Sequence, residues 1–69
     1  MIYDSYAAQK RLERALTSMV IAFADIGMAK RDRPEGVDIE TAYNALEEAM
    51  GYTKTAIEAL RVHNRETYG

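Results

Sequence analysis

Two long stretches with heptad spacing, separated by one short break, constrain the fold of this chain more than any other feature. In the first stretch, spacings of four and three alternate through Leu12, Leu16, Met19, Phe23 and Ile26. In the second, the same spacings run through Ile39, Tyr43, Leu46, Met50, Thr53, Ile57 and Leu60. Such spacing places the side chains on one face of an α-helix. The pattern therefore predicts two helices, each with one largely apolar seam.

The break between the stretches contains Pro34 and Gly36. Proline disfavours helical geometry at the preceding residue, and glycine supplies a flexible turn position. Because the break is short, we expect the two helices to fold back on each other as an all-α antiparallel hairpin. We predict one domain over residues 1–69, consisting of helix 1 at about residues 5–30, a loop at 31–37 and helix 2 at about 38–65.

Alanine recurs every seven residues beside each seam. The positions are Ala8, Ala15, Ala22 and Ala29 in helix 1, and Ala42, Ala49 and Ala56 in helix 2. Alanine at facing positions lets two backbones approach near the close end of the usual range of roughly 8–10 Å. We therefore predict a closely packed helix pair. The alternative is that alanine is present simply as the best helix former.

The size of the chain creates a stability problem. With 69 residues and no cysteine, a domain has a thin core and no disulfide to support it. His63 is the sole histidine in the sequence, so the usual zinc site built from cysteine and histidine is not available. We therefore expect oligomerisation, or docking onto a partner, to complete the fold.

The second half of helix 1 is apolar well beyond its seam. Val20, Ile21, Ala24 and Met28 lie outside the seam and the alanine positions, and Asp25 is the single charge between residues 19 and 29. A helix that is apolar all round is buried on more than one side, which one hairpin cannot provide. Three interpretations of this region compete. It is the contact of a homodimer that forms a four-helix bundle, a binding site for a different protein, or an exposed patch with no role. We favour the homodimer, because large exposed apolar patches are rare in monomers and symmetric pairing is common.

Sequence motifs for catalysis are absent. There is no cysteine nucleophile, the hydroxyls of Ser5 and Ser18 lack an evident neighbouring base, and no glycine-rich phosphate loop occurs. The Glu-x-x-His element of di-metal helical bundles is also missing. We therefore expect a protein that is not an enzyme, with no catalytic residue, metal or cofactor.

A basic cluster is predicted at the open end of the hairpin, where helix 1 begins and helix 2 ends. Its members are Lys10, Arg11, Arg14, Arg61 and Arg65. Such a cluster can bind phosphates, although the net charge of −2 argues against nucleic acid as the main partner. A short hairpin with heptad seams resembles the Rop type of plasmid regulator, a homodimeric four-helix bundle that binds paired RNA. The resemblance covers the two helices and implies, as an alternative, a small RNA- or DNA-binding regulator.

The leading functional hypothesis is a protein–protein interaction module. We expect a small homodimeric adaptor or inhibitor that docks on a larger protein and modulates it, as phage and plasmid regulators do by analogy. Val20, Ile21, Ala24 and Met28 are the expected contact residues. Tyr52 lies outside the seam of helix 2 and is a candidate partner anchor, since tyrosine is favoured at interface hot spots. The lack of cysteine, of a signal-peptide pattern and of a membrane-spanning apolar run favours a cytoplasmic protein with no membrane contact.

Overall fold

The structure is a computed structural model that describes residues 4–68. It contains two helices, α1 (Ser5–Arg31) and α2 (Glu40–Tyr68), and no strand in that range. The helices pack antiparallel as one elongated hairpin of 52 × 22 × 14 Å. The predicted all-α hairpin is therefore confirmed. Over the described residues, neither helix is long and apolar enough to cross a membrane.

The helix starts are set by aspartate caps. At α1, Asp4 accepts a hydrogen bond from the backbone N–H of Ala7 at 2.9 Å. At α2, the carboxylate of Asp38 accepts from the backbone N–H of Thr41 at 3.3 Å and from its hydroxyl at 2.7 Å. The backbone N–H groups of Ala7 and Thr41 belong to the first turns, where such donors have no partner within the helix, and the aspartates supply one.

The second helix is shifted relative to the predicted bounds. It begins at Glu40, two residues after the predicted start, and it continues to Tyr68, three residues past the predicted end. The loop between the helices reverses direction before the carboxylate of Asp38 caps the first turn of α2. Gly36 makes that reversal in the left-handed region, at φ +88°, which residues with a side chain rarely adopt.

The apolar seam holds the two helices together. Each of the twelve seam residues predicted above is at least half-buried. Near the loop, the rings of Phe23 and Tyr43 lie 4.4 Å apart. In the middle, the polar Thr53 donates its hydroxyl to the backbone oxygen of Ala49 at 2.8 Å, so it sits in the seam without an unpaired group. The heptad pattern therefore predicts the correct packing face of both helices.

The alanine stripes are less well covered than the sequence suggests. Ala15, Ala22 and Ala49 are half-buried, whereas Ala8, Ala29, Ala42 and Ala56 are exposed. The predicted close packing along both stripes is therefore wrong towards their ends. Two helices bury the seam and its nearest flank, and a flanking position stays open to solvent unless a third helix covers it.

The hairpin has very little interior. Among residues 4–67, Ile57 is the one apolar side chain that is fully buried, at 3% exposure. The accessible surface of the chain is 5462 Å², whereas a compact monomer of its 7.8 kDa mass exposes about 4,400 Å². The isolated hairpin therefore leaves about 1,100 Å² more surface in water than a typical folded monomer of its size.

A buried polar layer closes the open end of the hairpin. Asn64, only 8% exposed, accepts from the Ser5 hydroxyl at 2.6 Å and donates its amide to Gln9 Oε1 at 2.7 Å. Its amide also lies 3.4 Å from the backbone oxygen of Ser5. Sequence analysis missed this layer, although the seam spacing, continued one step past Leu60 and two steps before Leu12, identifies all three residues. A buried asparagine of this kind fixes the register of packed helices.

Removing that layer should destabilise the hairpin. We expect Asn64→Ala to lower the free energy of unfolding by about 1–3 kcal/mol, because the buried polar groups of Ser5 and Gln9 lose their partner. Urea unfolding followed by circular dichroism measures the change. The control is Asn44→Ala on the exposed side of α2, which should cost less than about 0.5 kcal/mol. Equal losses in the two variants would show that the layer contributes nothing.

Candidate functional site

The main candidate surface is an apolar patch on α1, formed by Val20, Ile21, Ala24 and Met28 and called the α1 patch below. Val20 is 50% exposed, Ile21 61% and Met28 54%, and Ala24 is also exposed. Successive helical residues are about 100° apart, so the centre of the patch lies about 130° around α1 from its seam. Packing against α2 therefore leaves the α1 patch uncovered, and the structure brings its four predicted members together on one side of α1.

The polar groups beside the α1 patch bond within their own helix. The hydroxyl of Thr17 donates to the backbone oxygen of Glu13 at 3.2 Å, and that of Ser18 donates to the backbone oxygen of Arg14 at 3.4 Å. Neither hydroxyl needs a partner from outside. A surface that packed over this part of α1 would therefore leave few unsatisfied polar groups.

Tyr52 lies on the outer side of α2, away from the seam. At 74% exposure it is the most exposed large apolar side chain among residues 4–67. The neighbouring Gly51 leaves the backbone open, because a Cβ at that position would meet no atom within 4 Å. Tyr52 and the α1 patch belong to different helices, so the structure presents them as two separate surfaces.

The predicted basic cluster is partly neutralised. Glu13 lies between two of its members, with its carboxylate 3.5 Å from Lys10 Nζ and 3.0 Å from Arg61 Nη2. Arg61 also approaches Glu58 at 3.7 Å. The other three predicted members are exposed and form no ion pair with any described residue, namely Arg11, Arg14 and Arg65. The structure thus joins Lys10 and Arg61 through the carboxylate of Glu13.

The hydrogen bond between Arg61 and Glu13 affects the pKa of the Glu13 carboxyl. The Arg61 guanidinium donates to Glu13 Oε2 at 3.0 Å, and this contact is the largest cause that holds the pKa of Glu13 below its usual value. A carboxyl whose pKa is lower in the folded state stabilises that state above its unfolded pKa, and the stabilisation is lost as the pH falls through the folded pKa. The link between the helices therefore weakens in acid, below the usual range for glutamate.

Arg61→Gln should raise the pKa of Glu13 towards its ordinary value, because the charged donor is removed. Carbon-detected NMR titration of the Glu13 carboxyl measures the shift. Arg65→Gln removes a charge from the same helix without touching Glu13 and serves as the control. If the two variants gave the same Glu13 pKa, the helix-to-helix bond would be absent in solution.

The loop end of the hairpin carries a second set of paired charges. Lys30 Nζ lies 3.0 Å from Glu40 Oε2 and 4.5 Å from the centre of the Tyr43 ring. Arg33 approaches the same carboxylate at 3.8 Å. These contacts extend the seam to the last turn of α1. They engage Lys30 with its own hairpin.

Metal ligands and similarity to known proteins also bear on function. Within the described residues, no three histidine, aspartate or glutamate side chains are grouped so that they could hold a metal ion. Comparisons with protein-family models, with curated proteins and with solved structures find no match to this chain. The functional proposal therefore depends on the two exposed surfaces and on the energetics of the hairpin.

Proposed function

We propose that the protein is a non-enzymatic, homodimeric helical adaptor or inhibitor, cytoplasmic, which docks on a larger protein and modulates its activity. Two copies give an assembly of four helices. In this assembly the α1 patch is the contact between copies, and the outer side of α2, with Tyr52, contacts the larger protein.

The observation that carries the proposal is the mismatch between the thin interior and the large apolar exterior. Among residues 4–67, one fully buried apolar side chain, Ile57, is a small core, and most of the stability of a domain comes from such burial. The excess surface of about 1,100 Å² is of the same order as the roughly 800 Å² that each partner buries in a typical stable interface. Pairing through the α1 patch would cover apolar surface that the hairpin itself leaves in water.

The proposal of a larger partner rests on Tyr52. The side chain combines a large apolar area with a hydroxyl, and tyrosine carries much of the binding energy in many interfaces. It lies outside the α1 patch and outside the seam, so dimerisation through α1 would leave it free. A truncation there should affect partner binding without affecting the dimer.

The experiment is affinity capture with a matched pair of variants. Wild-type protein, Tyr52→Ala and Thr55→Ala are immobilised, incubated with lysate of the source cells with and without nuclease treatment, and the captured proteins are analysed by mass spectrometry. We expect one protein to be retained by the wild type and by Thr55→Ala, and to fall at least tenfold with Tyr52→Ala, as for a hot-spot residue. Equal retention by the wild type and by both variants would contradict the role of Tyr52.

The same experiment tests nucleic-acid binding as the alternative. Binding through Arg11 or Arg61 would fall steeply with salt, because phosphate contacts release counterions. Capture that disappeared after nuclease treatment, and that fell when Arg11 was neutralised, would overturn the adaptor proposal. Capture that survived nuclease and moderate salt would support docking through an apolar surface.

A further inference from the structure

We propose that the two copies pair through antiparallel α1 helices, with the two-fold axis passing beside Val20 and Ile21. This inference rests on the homodimer proposed above and specifies its contact. The α1 patch of one copy therefore packs against the α1 patch of the other copy. The position of this axis determines which residues contact the same residue of the second copy and which contact a different residue.

The shape of the α1 patch suits such a pairing. Residues 17 and 24 lie along the middle of the exposed side, while Val20 and Ile21 lie on either flank of it, about 50° from its centre. The midpoint between residues 17 and 24 along the helix falls between residues 20 and 21. In an antiparallel pair with its axis there, Thr17 of one copy faces Ala24 of the other, so small side chains meet at the centre. Val20 and Ile21 each pack against their own equivalents, which closes both flanks with branched apolar side chains.

Charge complementarity favours the antiparallel direction. Arg14 and Asp25 lie on the Ile21 flank on opposite sides of the proposed axis, about 10 Å and about 7 Å from it along the helix. Both are exposed, and neither forms an ion pair with a described residue. Antiparallel pairing brings Arg14 of each copy to the same flank as Asp25 of the other, about 3 Å apart along the helices at 1.5 Å per residue. Parallel pairing would instead place Arg14 and Asp25 of one copy on the opposite flank of the contact from those of the other copy, so neither charge would gain a partner.

The chain has no cysteine, so single cysteines can map the contact without background. We would prepare Val20→Cys, Ile21→Cys and Met28→Cys, and treat each with a short thiol-specific cross-linker. Equivalent residues at 20 or 21 lie close together across the axis. Equivalent Met28 positions are separated by about 22 Å along the helices, at 1.5 Å per residue. We expect covalent dimers from the first two variants and at least a tenfold lower yield from Met28→Cys.

The cross-linking pattern separates this inference from the homodimer itself. Comparable cross-linking at all three positions would overturn it in favour of parallel helices. A wild type that is dimeric by light scattering, with no cross-linking at 20 or 21, would overturn the α1 pairing while leaving the homodimer standing. A monomeric wild type would overturn both. Tyr52→Cys, on the other helix, is the control and should stay uncross-linked.

Charge reversal gives an independent test of direction. Asp25→Arg alone should weaken the dimer about tenfold, because each of two symmetric contacts becomes a repulsion. The double variant Arg14→Asp with Asp25→Arg restores opposite charges and should recover most of that loss. Sedimentation equilibrium measures the Kd of each variant. A double variant at least as weak as the single one would show that these residues do not meet.

Discussion

Ile57→Ala is expected to lower the free energy of unfolding by a large fraction of its total value. The substitution removes the one fully buried apolar side chain among residues 4–67, and replacing a buried isoleucine by alanine costs about 2–5 kcal/mol. A domain of this length has a total stability of roughly 3–10 kcal/mol. The loss is therefore about half of the whole stability of the hairpin. Far-ultraviolet circular dichroism and urea unfolding measure it.

The matched control is Val62→Ala, on the same helix and 38% exposed. It deletes a smaller apolar group from a position already in contact with water, so its cost should stay below about 1 kcal/mol. A variant Ile57→Ala that unfolded at the same urea concentration as Val62→Ala would contradict the seam as the source of stability.

Ile21→Asp is expected to abolish the dimer. Ile21 is 61% exposed in the single hairpin, so the substitution removes few contacts within the hairpin. In the proposed dimer, however, it places two carboxylates against each other inside an apolar contact, where an unpaired charge is strongly unfavourable. We expect the Kd to rise more than a hundredfold, which corresponds to about 2.7 kcal/mol. Sedimentation equilibrium over a range of concentrations measures the change.

Thr55→Asp is the control for Ile21→Asp, because it adds the same charge at an exposed position on α2. It should remain dimeric. Circular dichroism at high concentration shows whether Ile21→Asp keeps its helices. A helical, dimeric Ile21→Asp protein would place the contact between copies elsewhere. A loss of helix that accompanies dissociation would show that pairing supplies stability that the hairpin lacks.

The sequence predicts the fold in considerable detail, because heptad spacing is a strong and local signal. Leu12 and Ile57 lie on the seam as their spacing requires, and Pro34 and Gly36 fall in the loop. The bounds of α2 are less accurate, since an aspartate cap and a three-residue extension at the end depend on weak local preferences. The Asn64 layer was accessible from the same spacing but was missed because its members are polar.

The candidate surfaces are predicted only in part. The exposure of the α1 patch follows from helical periodicity, because residues about 130° from the seam cannot reach the second helix. The basic cluster is different, since its composition suggests a phosphate site but its ion pairs do not follow from composition. Glu13 sits between Lys10 and Arg61 only because the antiparallel register brings positions 13 and 61 together. The exposure of Ala42 and Ala56 likewise depends on how far two helices can cover each other.

The central claim is that the hairpin completes its fold by pairing with a second copy. The most direct test is the mass of the wild-type protein in solution by multi-angle light scattering, at concentrations from one to a hundred micromolar. The account predicts a mass twice that of the 7.8 kDa chain, with helicity that falls together with the mass on dilution. A stable, fully helical species with the mass of a single chain across that range would contradict it.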